Sequence, residues 1–379
     1  MLNVENISYW ERKSFFDNID YLIIGAGIVG YSTALHLRKS NPNARILLIE
    51  RGLLPSGASS KNAGFACFGS ATELYDDLQH IDEDLVWNTV ESRWKGLQYL
   101  KSIVGDEGLD LQINGSWDLI TDKESELFEK TVEMLPYFNE KIKAITGEAE
   151  VYSVDENVSE TFGFEKVNTS IYNRLEGQID TSKMNSAFYK VIVANNIQVL
   201  FGIEAQSMNT VENRTIVQTS IGKINAGKVA ICTNGFAKQF IQDEDIRPAR
   251  AQVLVTQPIP DLKVEGTFHY NQGYYYFRNI DNRILFGGGR NLDFEGETTT
   301  SLSTSRLVMD KLEELLRTVI LPNQIVKIDQ TWAGIMGVGD TKKPIIKECS
   351  KNVYCGVRLG GMGVAIGTLV GKELSELMN

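Results

Sequence analysis

The apolar residues near the start of the chain fall into two short runs with a helical pattern between them. Asp20-Tyr21-Leu22-Ile23-Ile24 is brief, apolar and stopped by glycine, which predicts a strand buried on both faces. Ile28 to Lys39 has helical spacing, Asn41-Pro42-Asn43 is a turn, and Arg45 to Ile49 is a second buried strand. Strand, helix and strand within about 30 residues predict a right-handed βαβ unit opening a doubly wound sheet. Residues 1–18 are mixed and polar, as a surface extension would be.

Further along, helical patterns cover residues 85–100, 123–145, 182–194, 306–318 and 364–378. Leu111 to Ile120 reads as two short strands, and further strands are expected at 198–201, 215–219, 228–232 and 353–356. From Ala251 to Arg290 apolar and polar positions alternate among many aromatics, the pattern of an antiparallel sheet. The fold class predicted is α/β: a Rossmann-like dinucleotide-binding domain interleaved with an antiparallel-sheet domain for substrate.

Composition narrows the function. The 379 residues, 42% hydrophobic and 23% charged, suffice for a two- or three-domain globular protein and exclude disorder. A net charge of −11 without a basic stripe argues against nucleic acid and anionic membrane surfaces as partners. The four cysteines are scattered without a CxxC pair, as in a reducing cytosol. Three histidines make a His-rich metal site improbable, and no metal is expected. The acidic start Met1-Leu2-Asn3-Val4-Glu5 lacks signal-peptide character, and no apolar run approaches a membrane span. A cytoplasmic location is the expectation.

Gly25-Ala26-Gly27-Ile28-Val29-Gly30 follows the first strand and opens the first helix, the context that a GxGxxG fingerprint requires. Gly25 suits the tight turn, Gly27 lets a pyrophosphate approach the backbone, and Gly30 lets helix and strand approach closely. Glu50, at the end of the second strand, is placed to accept hydrogen bonds from an adenosine ribose. The motif alone leaves FAD and NAD open and disfavours NADP.

The segment after Glu50 carries a resemblance that bears on the choice. Glu50-Arg51-Gly52 runs into a small-residue loop ending Ser59-Ser60-Lys61-Asn62-Ala63-Gly64. With Thr233-Asn234-Gly235, Leu175-Glu176-Gly177-Gln178-Ile179-Asp180 and Gly360-Gly361-Met362-Gly363-Val364-Ala365, the chain resembles the D-amino-acid-oxidase-like family of FAD-dependent oxidoreductases. The family includes glycine, sarcosine and γ-glutamylputrescine oxidases, and the resemblance covers residues 19–379. It implies FAD contacts at Gly25, Gly27 to Gly30, Glu50, Arg51, Ser59 to Gly64, Ala205, Thr233 to Gly235 and Gly360 to Ala365, with 175–180 as a linker into the middle helix. In some branches a cysteine near Trp332-Ala333-Gly334-Ile335-Met336 bonds the flavin covalently; none lies there, so noncovalent FAD is implied. The resemblance also puts Met336 where glycine-oxidase-like members carry a carboxylate-binding arginine, and Leu285 near an oxygen-activating lysine. Independently of the family, three glycines before the last helix leave N–H groups able to stabilise negative charge.

On the antiparallel sheet, Tyr276 and Arg278, with Tyr274, are predicted on one strand face toward a substrate. Arg290 ends Leu285-Phe286-Gly287-Gly288-Gly289, whose glycines suggest close approach of a flavin edge or a bend. His269 is either a base or a structural residue, Arg358 either a flavin contact or a surface charge. Cys67 has no activating neighbour in sequence and reads as core.

The function expected is oxidation of a C–N bond in a small amine or amino-acid-like substrate, with oxygen or a quinone or carrier as electron acceptor. The alternatives are an FAD-dependent 2-hydroxy acid or polyol dehydrogenase, a nicotinamide-dependent dehydrogenase and a non-catalytic flavin-binding module. The expected segments are 1–80, 147–240 and 327–379 for FAD, and 81–146 and 241–326 for substrate.

Overall fold

The structure, a computed structural model, describes residues 7–242 and 244–379. The acidic start and the first third of the expected surface extension, residues 1–6, lie outside the described residues. Residues 7–18 form two short helical turns with no buried side chain.

Two eight-stranded sheets organise the chain. In the first, Val353–Val357, Gly222–Ile231, Ile19–Ile24, Ile46–Glu50 and Gln198–Phe201 lie side by side in parallel. The two expected opening strands are central, which explains why they read as unbroken apolar runs: both faces are covered. Helices Ile28–Ser40 and Gly363–Met378 cover one face and interlock through small residues. Ser32 Oγ donates to the Thr368 carbonyl at 2.6 Å, and a Cβ on Gly371 would meet Ser32 Cβ at 2.5 Å. That contact fixes the N-termini of both helices relative to each other.

The second sheet runs Ile328–Val338, Arg247–Thr256, Arg283–Gly288, Tyr275–Ile280, Thr267–Tyr270, Ser116–Ile120, Thr169–Asn173 and Tyr152–Asp155. All its pairs are antiparallel except Thr267–Tyr270 with Ser116–Ile120. Aromatic rings of Trp117, Phe268 and Phe277 stack in its core. Three of these strands, Tyr152–Asp155, Thr169–Asn173 and Ile328–Val338, fall inside segments expected to belong with the cofactor sheet. Pairing across the chain, invisible to local pattern, decides sheet membership. The expected strand pair at 111–120 is one strand, Ser116–Ile120, preceded by a single bridge from Gln112 to Gln178.

Candidate active site

A cavity of about 690 Å³ begins at the C-terminal ends of the parallel strands and extends to the antiparallel sheet. This is the crevice where open α/β sheets bind ligands. Gly25, Gly27, Ile28, Val29, Glu50, Arg51, Ser59, Lys61, Asn62, Ala63, Gly64, Ala205, Thr233, Asn234 and all of Gly360 to Ala365 line it. Three residues expected on the cofactor do not: Gly30, Ser60 and Gly235.

Their roles explain the difference. A Cβ on Gly30 would sit 2.0 Å from the Gly25 carbonyl oxygen, so that glycine allows the turn to fold onto the helix. Ser60 Oγ turns inward to the Pro55 carbonyl. Gly235 lies against the Met336 carbonyl, 2.4 Å from where its Cβ would be, and lets the two sheets meet. Gly27 does line the cavity, but the atom that demands a glycine there is Ser59 Oγ, 2.7 Å from the missing Cβ. Ser59 Oγ accepts the Ile28 N–H at 3.0 Å and caps the helix from a neighbouring loop. Glu50 also does more than expected: its carboxylate accepts from Ala26 N, Gly52 N and Ser56 Oγ at 3.2, 3.0 and 2.8 Å.

Helices Ile28–Ser40 and Gly363–Met378 both start on the cavity, and neither N-cap residue, Gly27 or Met362, supplies a capping side chain. First-turn N–H groups have no intrahelical partner, so both ends favour an anion. Gly360 and Gly361 have φ of +59° and +87°, which turns the chain into the second helix. Asn234 Oδ1 accepts from Arg358 N and Leu359 N, tying this loop to the one after Gly222–Ile231. Thr233 Oγ1 is buried on the cavity wall with no protein partner. Arg51 stacks on Phe236, 3.8 Å from the ring centroid. This set of backbone donors, one orphaned hydroxyl and a carboxylate suits a dinucleotide.

At the antiparallel end the wall is made of Tyr274, Tyr276, Arg290, His269, Phe294 and Met336. Tyr276 is held by Phe65, edge-on at 5.6 Å, and burial pushes its hydroxyl up to about 12, so it stays a neutral donor. Arg290 stands over Phe294 at 5.1 Å; burial lowers its pKa, and its Nε is buried without a partner. Arg278, expected beside them, does not line the cavity. It is 2% exposed and donates to the Ala63, Ile179 and Asn279 carbonyls, and burial lowers its pKa to about 10. It pins the small-residue loop to the sheet. The glycines before Arg290 likewise make room for protein: a Cβ on Gly287 would meet the Tyr276 ring at 2.7 Å, and one on Gly288 the Tyr274 carbonyl at 2.1 Å.

Other candidates are also placed. Arg358 bonds Asp245, Thr341 and the Lys343 carbonyl, away from the cavity lining. Leu285 is buried against Ala63 and Val253. Cys67 and Cys232 do reach the wall. Phe236 and Lys342, two wall residues not anticipated, carry no local motif. Lys342 crosses from its loop to Glu73 and Asp77, both bonds 2.7 Å, while Arg93 holds Glu73 from the other side at 3.1 Å.

Strand ends of a doubly wound sheet that frame a glycine-lined cavity, closed by an antiparallel sheet, define a dinucleotide-dependent enzyme. The chain belongs to the FAD dependent oxidoreductase family, whose sequence profile matches residues 20–377. It is similar to gamma-glutamylputrescine oxidoreductase from Escherichia coli, 21% identical over 385 residues, 95% of this chain and 83% of that protein. Among solved structures, L-proline dehydrogenase from P. horikoshii matches with a TM-score of 0.74 at 20% identity, covering 96% of this chain and 94% of that one. Glycine oxidase from Geobacillus kaustophilus matches with a TM-score of 0.75 at 17% identity, covering 95% and 94%. The expected family, fold class, FAD dependence and oxidoreductase activity are borne out, and the nicotinamide alternative is set aside.

Proposed function

We propose that this enzyme oxidises a C–N bond of an amine or amino-acid-like substrate that carries an anionic group. The observation that carries this reading is Arg290: a half-buried cation on the cavity wall, with no carboxylate partner among the described residues. An unpaired guanidinium in a low-dielectric wall is worth most when it meets an anion in fork geometry. Names of the similar proteins, a glutamylputrescine oxidoreductase, a proline dehydrogenase and a glycine oxidase, support the amine half of the reading.

Bound FAD supplies the hydride acceptor for this chemistry. The glycine loops at 25–30 and 360–363 and Glu50 hold its dinucleotide end. Arg290 orients the substrate by its anionic group, and the neutral Tyr276 hydroxyl donates a hydrogen bond beside it. The aromatic wall excludes water from the reacting carbon. Met336 offers no hydrogen-bond donor, so carboxylate binding shifts to Arg290, and substrates larger than glycine or D-alanine are preferred.

The cofactor is held noncovalently. Both wall cysteines are poor nucleophiles: burial raises the Cys67 thiol well above its ordinary value and pushes Cys232 up to about 12. The acceptor of the electrons is oxygen or a quinone or carrier, and the location cytoplasmic; among the described residues no helix is long and apolar enough to cross a membrane.

Product analysis tests the reading. Turnover of a carboxylate-bearing amine is expected to release ammonia or a smaller amine together with a carbonyl compound. Oxidation of 2-hydroxy acids or polyols with no nitrogen released would overturn it.

A further inference from the structure

At the edge of the cavity stand three side chains that the proposed reaction does not use. Cys67, Glu176 and His269 each place one ligand atom within 4.8 Å of the other two. They come from three separated parts of the chain: the segment after the small-residue loop, the turn before Asp180, and the strand Thr267–Tyr270. Cys67 and His269 line the cavity, whereas Glu176 has no exposed surface.

Glu176 is held rigidly. Its Oε1 accepts the Phe68 and Gly69 N–H groups at 2.7 and 2.8 Å. Those bonds leave Oε2 buried with no donor, and His269 Nε2 is equally buried and unpartnered. A fully buried carboxylate oxygen without a partner is costly, and the neighbouring arginine, Arg93, is paired with Glu73 instead. An unpartnered carboxylate oxygen and an unpartnered imidazole nitrogen beside a thiol can be joined by a cation bound between them.

We propose that Cys67, Glu176 and His269 form a three-ligand site for a zinc-class divalent cation, with its fourth position open to the substrate cavity. Sulfur, imidazole nitrogen and carboxylate oxygen are the donors zinc takes, and three protein ligands with one open position is a recurrent zinc arrangement. Zinc–ligand bonds of about 2.0–2.3 Å bring tetrahedral donors to about 3.5 Å from one another, a short side-chain contraction here. The cavity is the entry path. Binding forms the zinc–sulfur bond and releases the Cys67 thiol proton to solvent, so affinity rises with pH. The scarcity of histidine is no obstacle, because the site takes one residue of each type. Metal at this position narrows the substrate end of the cavity, and zinc therefore inhibits turnover reversibly.

The test is a binding measurement on the FAD-loaded enzyme, stripped with EDTA and dialysed against zinc chloride. It needs no turnover and so stands or falls apart from the amine reading. The expected result is about one retained zinc per chain, with Cys67→Ala and His269→Gln each weakening binding about tenfold or more at unchanged flavin content. Cobalt in the unaltered enzyme is expected to show a thiolate charge-transfer band, which serves even if Cys67→Ala fails to fold. No retained zinc, no thiolate band, or undiminished binding by folded Cys67→Ala would overturn the site and leave a proton shared by Glu176 and His269.

Discussion

The two ends of the cavity are built from different materials. At the parallel-sheet end the wall is largely backbone: glycine turns, two helix N-termini, and a carboxylate, Glu50, already engaged by the fingerprint turn and by the loop after it. At the antiparallel end it is side chain: His269, Tyr276, Arg290 and Phe294 from successive strands and the turn after them, and Met336 from the edge strand Ile328–Val338. A backbone site fixes chemistry common to a whole class of cofactor, while a side-chain site can be rewritten by single substitutions. The contrast separates what the enzyme shares with its relatives from what is its own.

The sharpest way to break this contrast is to put a side chain into the backbone end. Gly27→Trp is expected to lower FAD affinity by about a thousandfold, roughly 4 kcal/mol, because the indole takes the space of Ser59 and of the bound anion. Flavin absorbance retained by the purified, folded variant would contradict it.

The pair Arg278 and Arg290 sharpens the comparison from the other side. Removing Arg278 strands the Ala63 and Ile179 carbonyls, so Arg278→Ala should destabilise the fold by about 2–4 kcal/mol, read by denaturant titration. Arg290→Ala should leave stability unchanged and lower kcat/KM for a carboxylate-bearing amine by about 10–100-fold, mainly through KM. If the two variants exchanged these phenotypes, the assignment of roles would be wrong.

How much was legible follows the same division. The fingerprint at 25–30, the small-residue loop and the glycines at 360–363 are local patterns, and all open on the cavity, since a backbone site writes its requirement into adjacent residues. Which of the two arginines reaches the cavity is set by the Ala63 and Ile179 carbonyls that hold Arg278, 215 and 99 residues away from it, with nothing local to mark them. Gly287 looked like room for a flavin for the same reason; the room is taken by Tyr276 from the next strand. Ile328–Val338 joins the second sheet through Arg247–Thr256, and Tyr152–Asp155 joins it through Thr169–Asn173, whose other partner is Ser116–Ile120; neither link is marked in the local pattern.

The smallest effect concerns the cavity rim. Burial raises the Glu73 carboxyl, but Arg93 and Lys342 outweigh it and hold the group well below the ordinary carboxylate value. A depressed folded-state value contributes stability above the unfolded pKa, about 4.5, and loses it as pH falls. Lys342 is 40% exposed, so Lys342→Ala should cost only about 1 kcal/mol near neutrality after solvent screening. The gap between variant and parent should close as pH drops through the carboxylate range, and a gap that widened on acidification would refute the pairing.

The central claim, that FAD at the backbone end is reduced by an amine held at Arg290, is tested most directly by anaerobic titration. Adding a carboxylate-bearing amine to the oxidised enzyme should bleach the flavin absorbance stoichiometrically. Arg290→Ala should need about 10–100 times more amine for the same bleaching. Flavin that stays oxidised under every such amine, or that bleaches identically without Arg290, would contradict the account.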